Sequence, residues 1–295
     1  MSRKVMVTVA PTGGMAKKSQ NPHLPTQPEE IAETLKNCTK AGASIAAIHA
    51  RRPDDEATCD PAIYKKINDL VKARCDIIIN NSTGGGIDGD VVVRRPDGLW
   101  ESDFEHRMLG IEADAEMATF DGFTVAATFD GREIIVPTTP SQCNRLATAL
   151  QEKGIKPEWE VFSPAHILQD MTRLIKAGFD KPPYYVNIVL GAERGFQGGM
   201  PYSTEVLSTM VNLLPPQSIF CVSAIGNAQL PATTQALLLG GHVRVGLEDN
   251  LMYARGVHAT NEMLVERQVR IIRELGMEPA SPAEAREMIG LPARG

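Results

Sequence analysis

The stretch GGHVRVGLEDN, residues 240–250, contains the last of eight short apolar runs that predict β-strands. Each run is followed by a helical pattern, which is typical of parallel β/α units. An open doubly wound sheet would alternate in the same way, but no GxGxxG fingerprint follows the first run, where residues 10–14 read APTGG. Eight strands therefore predict an α/β fold of the closed (β/α)8 TIM barrel type. The predicted strands are residues 5–10, 44–50, 76–82, 117–120, 159–163, 184–190, 219–225 and 242–247.

The helical segments support this architecture. Predicted helices at 28–41, 61–74, 140–153 and 164–177 all begin at proline, and glycine follows three of them. Two stretches interrupt the repeat and are expected to be loops near a site: 83–98, rich in Gly and Asp, and 124–140, which resembles an inserted hairpin. A capped helix at 281–289 is expected to pack on the outside. Residues 1–295 are predicted to form a single domain.

The composition argues against several classes of protein. A net charge of −6 gives no general attraction to nucleic acid or to anionic membranes. No stretch reaches the roughly 18 apolar residues that a membrane span requires. The five cysteines are scattered without CxxC spacing, as expected for reduced thiols. No signal peptide is recognisable, so we expect a cytoplasmic protein with small-molecule partners and neither nucleic acid nor membrane partners.

Polar residues at predicted strand ends mark the candidate site, because barrel enzymes carry their chemistry at the carboxyl ends of the strands. Period two places Arg244, Gly246 and Glu248 on one face of the last strand, with Gly246 leaving room between the two charges. A solvated strand could also carry these charges, but helices cover the outside of a barrel, so this face should point inward. His49 and Arg51 leave the second strand together. A lone His is more often a packing residue, and the neighbouring Arg weakens that interpretation.

Two further strand ends carry unusual polar residues. The third predicted strand continues into NNSTGGG at 80–86, whose glycines let backbone amides approach a bound oxygen atom. A flexible turn is the alternative, and without a following Gly-Lys-Ser/Thr the segment is no phosphate loop. The fifth strand contains Glu158 and Glu160 at alternate positions. Since burying an unpaired carboxylate costs several kcal/mol, at least one of them should meet a cation or a metal.

Together these motifs resemble the beta-keto acid cleavage enzymes. The similarity covers essentially the whole chain, through TVAPTG (8–13), NPHLP (21–25), STGG (82–85), EMAT (116–119) and GGHVRVGLEDN (240–250). It implies a (β/α)8 barrel, usually a homotetramer. It also implies a zinc ion that binds the keto acid and is held by two His of an HxH motif and by a Glu of the last strand.

The resemblance also implies a reaction. A base removes a proton from a 3-oxo acid, which then attacks the co-substrate acetyl-CoA, and the adduct collapses to acetoacetate and a new acyl-CoA. His49 and Glu248 match two of the metal ligands. The residues that match acid–base and substrate-orienting groups are Arg244, Asp249, Glu160, Ser82 and Thr119. Expected substrate contacts are Thr83, Gly84, Gly85 and Arg51.

Two positions depart from the family pattern. The first His of the metal motif corresponds to Ala47, and a substrate-contacting Glu corresponds to Met15. Catalytic zinc sites normally use three protein ligands, so metal affinity should drop. Another side chain, water or a different divalent metal could complete the shell, or the site no longer binds metal. The change at Met15 argues against an aminated substrate and for a less polar or anionic one.

These departures leave two hypotheses. The first is a working acetyl-CoA-dependent enzyme, a homotetramer with zinc or another divalent metal in an altered shell. The second is a non-catalytic barrel that binds a keto acid or acyl-CoA after losing the metal. We favour the first hypothesis, because so many polar residues at strand ends match the family.

Overall fold

The computed structural model describes residues 2–129 and 131–293 and contains a closed barrel of eight parallel strands. The strands are neighbours in chain order, and the last pairs with the first. All eight predicted strands and the barrel fold are confirmed, with boundaries shifted by a few residues. The barrel strands are Val7–Val9, Ile45–Ile48, Ile78–Asn81, Met117–Phe120, Lys156–Val161, Tyr184–Leu190, Ser218–Ala224 and His242–Val245.

The helices largely follow the prediction. Those predicted at 28–41, 61–74 and 140–153 have these bounds, and the first and third end at a left-handed glycine. The helix predicted at 164–177 is interrupted, because a π-helix at Ile167–Met171 separates Pro164–His166 from Thr172–Lys176. The other α-helices are Phe104–Met108, Thr204–Asn212, Gln229–Leu238, Asn261–Glu274 and Pro282–Ile289. Short 3₁₀ turns lie at Gly89–Val91, Leu109–Glu112 and Gly226–Ala228.

The two irregular stretches belong to one small sheet. The hairpin predicted at 124–140 is confirmed as the antiparallel strands Val125–Phe129 and Arg132–Val136. Trp100–Ser102 pairs with the hairpin and Val92–Arg94 pairs with Trp100–Ser102, so the stretch at 83–98 contains a strand rather than only a loop. Sequence periodicity missed this strand because it has only three residues.

Three further pairs of short strands lie outside the barrel in the described part of the chain: Lys4–Val5 with Glu278–Pro279, Ala50–Arg51 with Ala57–Thr58, and Met252–Ala254 with Val257–His258.

The terminal helix lies in a different place from the one predicted. Pro282–Ile289 begins with the expected capping box. Its Ala285 and Ile289 pack on apolar residues at the amino-terminal ends of the barrel strands, and Arg286 donates to Glu116 at 2.5 Å. The helix therefore closes the amino-terminal end of the barrel and leaves the carboxyl end open. The strand residues in this cluster are Met6, Ile45, Ile78, Met117, Tyr185 and Cys221. Of the helices in the described ranges, none has the length and apolar content to cross a bilayer.

Candidate active site

The carboxyl ends of the barrel strands surround a cavity that has a charged bottom and an apolar wall. Arg244 and the residues that follow its strand, Glu248 and Asp249, meet Glu160 of the fifth strand and His49, which follows the second strand. This is the end of the barrel at which the sequence predicted the chemistry. The apolar wall consists of Ile87, Phe123, Val125, Val136, Phe162, Val189, Ala192, Phe196 and Ile225.

A wider groove adjoins this cavity. Met15, Glu248 and Asp249 line both the cavity and the groove, so a molecule in the groove can reach the charged bottom of the cavity. The groove presents charged groups of both signs together with hydroxyl and amide groups. Two molecules could therefore meet beside Asp249. Polar residues of the groove include Gln20, Arg194, Tyr202, Asn227 and Asn250.

Arg244 is the centre of the charged bottom of the cavity. Its Nε and Nη2 donate to the two oxygens of Asp249, at 3.1 and 3.0 Å, in a bidentate pair. Nη1 donates to Oε1 of Glu160 at 2.9 Å, and Nη2 also donates to Oε1 of Glu248 at 2.5 Å. Arg244 is only 4% exposed, so water screens these contacts little. One guanidinium therefore fixes three carboxylates around a single point.

A tight turn brings the two acids back to this arginine. The amide of Asp249 donates to the carbonyl of Gly246 at 3.2 Å. Gly246 has a φ of 150°, and a Cβ there would lie 2.0 Å from the carbonyl oxygen of Ala10, so only glycine fits. The period-two explanation of Gly246 was therefore wrong, because the strand ends before it and its backbone packs on the first strand. Arg244 and Glu248 do lie on the same side, as predicted, but the turn brings Glu248 there and places it in direct contact with Arg244.

The three carboxyl groups have different proton affinities. Burial raises the pKa of Asp249 to about 6 despite Arg244. Burial, followed by the charge of Asp121, raises the pKa of Glu160 well above its usual value. Burial opposes ionisation of Glu248 as well, but the charges and hydrogen bonds of Arg244 and His49 together outweigh it and lower the pKa of Glu248 to about 2. Near neutral pH, Asp249 is therefore ionised and able to accept a proton, whereas Glu160 holds a proton more tightly than an ordinary glutamate does.

The two glutamates of the fifth strand have different partners. Glu160 meets Arg244, which confirms that one of the pair meets a cation, and it also accepts from Nδ2 of Asn187 at 3.1 Å. Glu158 lies deeper in the barrel and accepts from the amide of Asn80. Burial raises the pKa of Glu158 to about 7. The inner glutamate is therefore held by a neutral amide, and the outer one faces the cavity.

His49 presents one nitrogen to this site. Its Nδ1 lies 2.8 Å from the carbonyl of Gly85, and a carbonyl can only accept, so the ring proton sits on Nδ1. Nε2 then faces Oε1 of Glu248 at 3.4 Å. The other oxygen, Oε2, is buried and has no hydrogen-bond partner among the described residues. The structure therefore brings the two predicted metal ligands together.

The donor set falls short of an ordinary zinc site. Ala47 is 2% exposed and offers no donor atom at the position of the family's first His. Across residues 2–129 and 131–293, no group of three or more His, Cys, Asp or Glu side chains is arranged to hold a metal ion. Catalytic zinc normally uses three protein ligands and an open position. His49 and Glu248 are two, so these residues do not fit a conventional zinc centre.

The residues of the third strand end lie close to the cavity in two layers. Ser82 and Gly84 line it, and the amide of Gly84 donates to the Ser82 hydroxyl at 3.0 Å. Thr83 and Thr119 bind each other behind this lining, through amide-to-hydroxyl and hydroxyl-to-carbonyl bonds of 2.9 and 2.8 Å. Gly85 contributes its carbonyl to the imidazole described above. Thr83, Thr119 and Gly85 therefore position the site from behind, in contrast to the direct contacts expected of them.

The structure does not support Arg51 as a substrate contact. Its guanidinium donates to the backbone carbonyls of Gly13, Asp55 and Ala16 at 2.8, 2.9 and 3.0 Å. The residue is 1% exposed and lies outside the lining of the cavity. Arg51 instead fixes the loop after the first strand. Sequence could not reveal this, because backbone carbonyls leave no mark in the residue types.

Asp121 is a cavity residue that the sequence analysis missed. It follows the fourth barrel strand directly, so the strand-end argument applied to the other residues would have found it. Its Oδ2 lies 2.7 Å from the place where a Cβ at Gly84 would sit, and 3.8 Å from Nη2 of Arg107. The glycine run therefore makes room for this carboxylate as well as for a ligand.

The sequence is similar to known enzymes along its length. A model of the beta-keto acid cleavage enzyme family matches residues 4–291. The chain is 36% identical over 291 residues to the 3-keto-5-aminohexanoate cleavage enzyme of Acetoanaerobium sticklandii, with 98% of each chain covered. It is 30% identical to the 3-dehydrocarnitine:acetyl-CoA trimethylamine transferase of Rhizobium meliloti, with 100% of this chain and 99% of the relative covered.

A solved structure agrees with the fold. ObcA in its binary complex with oxaloacetate superposes with a TM-score of 0.70 at 21% identity, covering 92% of this chain and 68% of ObcA. At that identity the likeness shows the fold alone. The family model and the two relatives nevertheless cover almost every residue, the acidic turn after the last strand included. This chain belongs to the beta-keto acid cleavage enzyme family.

Proposed function

We propose that this protein is an acetyl-CoA-dependent acyltransferase that cleaves a 3-oxo acid into acetoacetate and a new acyl-CoA. The observation that carries the proposal is the Arg244 centre, where one cation holds the carboxyl groups of Asp249 and Glu160 beside an open groove. One of the two relatives is a 3-keto-5-aminohexanoate cleavage enzyme, and the other is a transferase that uses acetyl-CoA. They support an enzyme over the alternative of a non-catalytic keto acid or acyl-CoA binding barrel.

The reaction exchanges two acyl groups. A base removes a proton from the carbon between the keto and carboxylate groups, and the resulting carbanion forms a carbon–carbon bond to the carbonyl of acetyl-CoA. Coenzyme A leaves as the thiolate and attacks the original keto carbon of the condensed acid. The bond from that carbon to the central carbon then breaks and leaves the carbanion of acetoacetate, which takes back a proton. The products are acetoacetate and the acyl-CoA of the original substituent.

The residues at the bottom of the cavity have roles that match the steps of this reaction. Asp249 is the base, because it is ionised near neutral pH and Arg244 fixes both of its oxygens. Glu160 keeps its proton and donates it in a hydrogen bond to the keto oxygen, which stabilises the negative charge that develops there. The Ser82 hydroxyl accepts from Gly84, so its own proton is free for the substrate. Thr119 and Thr83 hold that segment in place.

We propose that the metal site is weak, with His49 and Glu248 as the ligands of zinc or another divalent ion. Replacing Ala47 with His should raise metal content towards about one ion per chain, because position 47 lies near the end of the second strand, two residues before His49, and supplies a third ligand. The measurement is elemental analysis of protein purified without chelators or a histidine tag. Adding Glu248→Gln to the Ala47→His variant should abolish the gain. Unchanged metal content in Ala47→His would contradict this ligand geometry.

The acyl exchange can be followed by isotope labelling. With acetyl-CoA labelled at both acetyl carbons and a panel of 3-oxo acids, we expect the label in the carbonyl and methyl carbons of acetoacetate. The unlabelled acyl group should appear on coenzyme A in equimolar amount, detected by mass spectrometry. Recovery of the label only in acetate would indicate hydrolysis instead. Failure to form any acyl-CoA across the panel, with zinc, cobalt or manganese added, would rule out the proposed reaction.

We also propose a cytoplasmic homotetramer, as the family resemblance implies. Apolar side chains on helical surfaces are available for such contacts, since Leu238 is 67% exposed and Leu168 is 58% exposed. Light scattering on the purified protein tests the assembly state.

A further inference from the structure

The cavity contains a carboxylate that the proposed reaction does not use. Asp121 lines the cavity and is 8% exposed. Its Oδ1 is buried and has no hydrogen-bond partner among the described residues. Its Oδ2 forms a long ion pair with Nη2 of Arg107 at 3.8 Å, beyond hydrogen-bond distance, and this Nη2 has no hydrogen-bond partner in the described part of the chain. Because Oδ1 is enclosed, a ligand in the cavity would reach Oδ2, and a donor on that ligand would offset part of the cost of burying this carboxylate.

Aromatic rings line the cavity that contains this carboxylate. Phe123 and Phe162 pack edge to face with ring centres 5.0 Å apart, and Phe162 contacts Phe196 at 5.7 Å. All three line the same cavity as Asp121. His166 stacks on Phe123 at 4.2 Å, and burial lowers its pKa to about 4, so it adds no positive charge near neutral pH. These ring surfaces suit a hydrocarbon chain and also tolerate a cation.

The charges of the cavity disfavour an anionic substituent. Asp121, Glu248 and Asp249 face it, and Arg244 is already committed to several carboxylates. A second carboxylate on the substrate's tail would meet this negative charge, because Arg244 is the only Lys or Arg among the described residues that line the cavity. A donor group, cationic or neutral, would instead meet the Asp121 carboxylate, whose ion pair with Arg107 is long at 3.8 Å. This argument opposes the anionic substrate that the change at Met15 suggested.

We propose that Asp121 is a specificity-determining residue that accepts a hydrogen bond from an ammonium or hydroxyl group on the tail of the 3-oxo acid. The carbon atoms between this donor and the keto group pack against Phe123 and Phe162. The acceptor that the chain lacks at Met15 is thus supplied from the end of another strand. The inference rests on the proposed function for its ligand class, the 3-oxo acids.

Binding without acetyl-CoA tests this assignment, because no exchange can occur in its absence. Three probes of equal length are 3-oxohexanoate, 5-hydroxy-3-oxopentanoate and 5-amino-3-oxopentanoate, which differ only in a terminal methyl, hydroxyl or ammonium group. Calorimetry on the wild type should give a Kd about 10-fold lower for at least one donor-bearing probe than for 3-oxohexanoate. Equal Kd values for the three probes, or no binding of any of them, would overturn the assignment.

Variants identify the acceptor and the kind of donor. Asp121→Leu removes the acceptor and should abolish the advantage of both donor probes. Asp121→Asn keeps an amide oxygen but removes the charge, so a hydroxyl advantage should persist and an ammonium advantage should fall about 10-fold. Asp180→Asn is the matched control, since Asp180 is an equally buried acid that binds Lys156 and Trp159 away from the cavity, and it should leave the Kd ratios unchanged.

The outcomes separate this inference from the proposed reaction. Ratios that stay the same in Asp121→Leu and Asp121→Asn as in the wild type would refute the role of Asp121. A wild type that shows the expected ratios but forms no acyl-CoA would refute the acyl exchange and leave the binding assignment standing.

Discussion

Replacing Arg244 with alanine is expected to lower kcat/KM by about 10³-fold. The guanidinium positions the base Asp249 and the acid Glu160 and offsets the charge of Glu248. Without it, three buried carboxyl groups repel one another, and their pKa values should rise. Asp249 would then be protonated at neutral pH and could no longer take a proton. Steady-state kinetics over a range of pH values measures both effects.

The same substitution should also destabilise the fold, by about 3–5 kcal/mol, because it leaves buried carboxylates without their cation. Activity and stability therefore need separate readouts. Arg286→Ala provides the matched control: Arg286 is also a buried arginine held by acids, Glu116 and Asp76, but it lies at the closed end of the barrel. It should unfold at lower temperature than the wild type and keep its kcat/KM while folded.

A third variant separates charge from geometry. Arg244→Lys keeps the positive charge but cannot reproduce the bidentate pair with Asp249 together with the bonds to Glu160 and Glu248. Most of the activity should therefore still be lost. An Arg244→Ala enzyme within about 10-fold of wild-type kcat/KM, or an equal loss in Arg286→Ala, would contradict the central role of this residue.

The barrel itself was predictable because its signals are local. Runs of β-branched residues, prolines at helix starts and glycines after helix ends are all set by backbone preferences within a few residues. The identity of the charged centre was also predictable, since Arg244 lies at a strand end where a helix-covered barrel leaves no outer surface for it. The way in which Glu248 reaches Arg244 was not predictable, because that contact depends on how Gly246 packs against Ala10.

Most of the missed features depend on tertiary contacts or strand pairing that residue types do not mark. Arg51 looked like a ligand-binding residue, but its partners are carbonyl groups of loops that sequence patterns do not mark. The strand Val92–Arg94 exists through its pairing with Trp100–Ser102. The terminal helix has an ordinary capping signal, and only the apolar cluster around Ile289 shows which end of the barrel it covers. Asp121 is the exception, since its position after a strand could have been noticed.

Replacing Asp249 with asparagine should lower kcat by about 10²–10⁴-fold, the contribution typical of a positioned general base. Asparagine has the same shape, and its carbonyl oxygen keeps one of the two bonds from Arg244, while the bonds from Arg244 to Glu160 and Glu248 still hold the centre. What is lost is the ability to take a proton. Thermal unfolding close to that of the wild type would confirm that the loss is chemical.

The pH profile identifies the same group independently. The base works only when ionised and its pKa is raised to about 6, so wild-type kcat/KM should rise as pH increases through about 6 and be lost below it. The inflection should be missing from the residual activity of Asp249→Asn. Arg244, Glu248 and His49 face Asp249, and Glu248 stays ionised across this range because its pKa is lowered to about 2.

Glu158 is the rival source of an inflection near neutral pH. Burial raises its pKa to about 7, and it lies in the barrel where Asn80 donates to it. Glu158→Gln should keep the rise near pH 6 if Asp249 is the base. If the inflection instead disappears in Glu158→Gln and survives in Asp249→Asn, the deeper glutamate controls the proton transfer. The base would then have to act through the barrel interior, which conflicts with the position of Asp249 at the junction of cavity and groove.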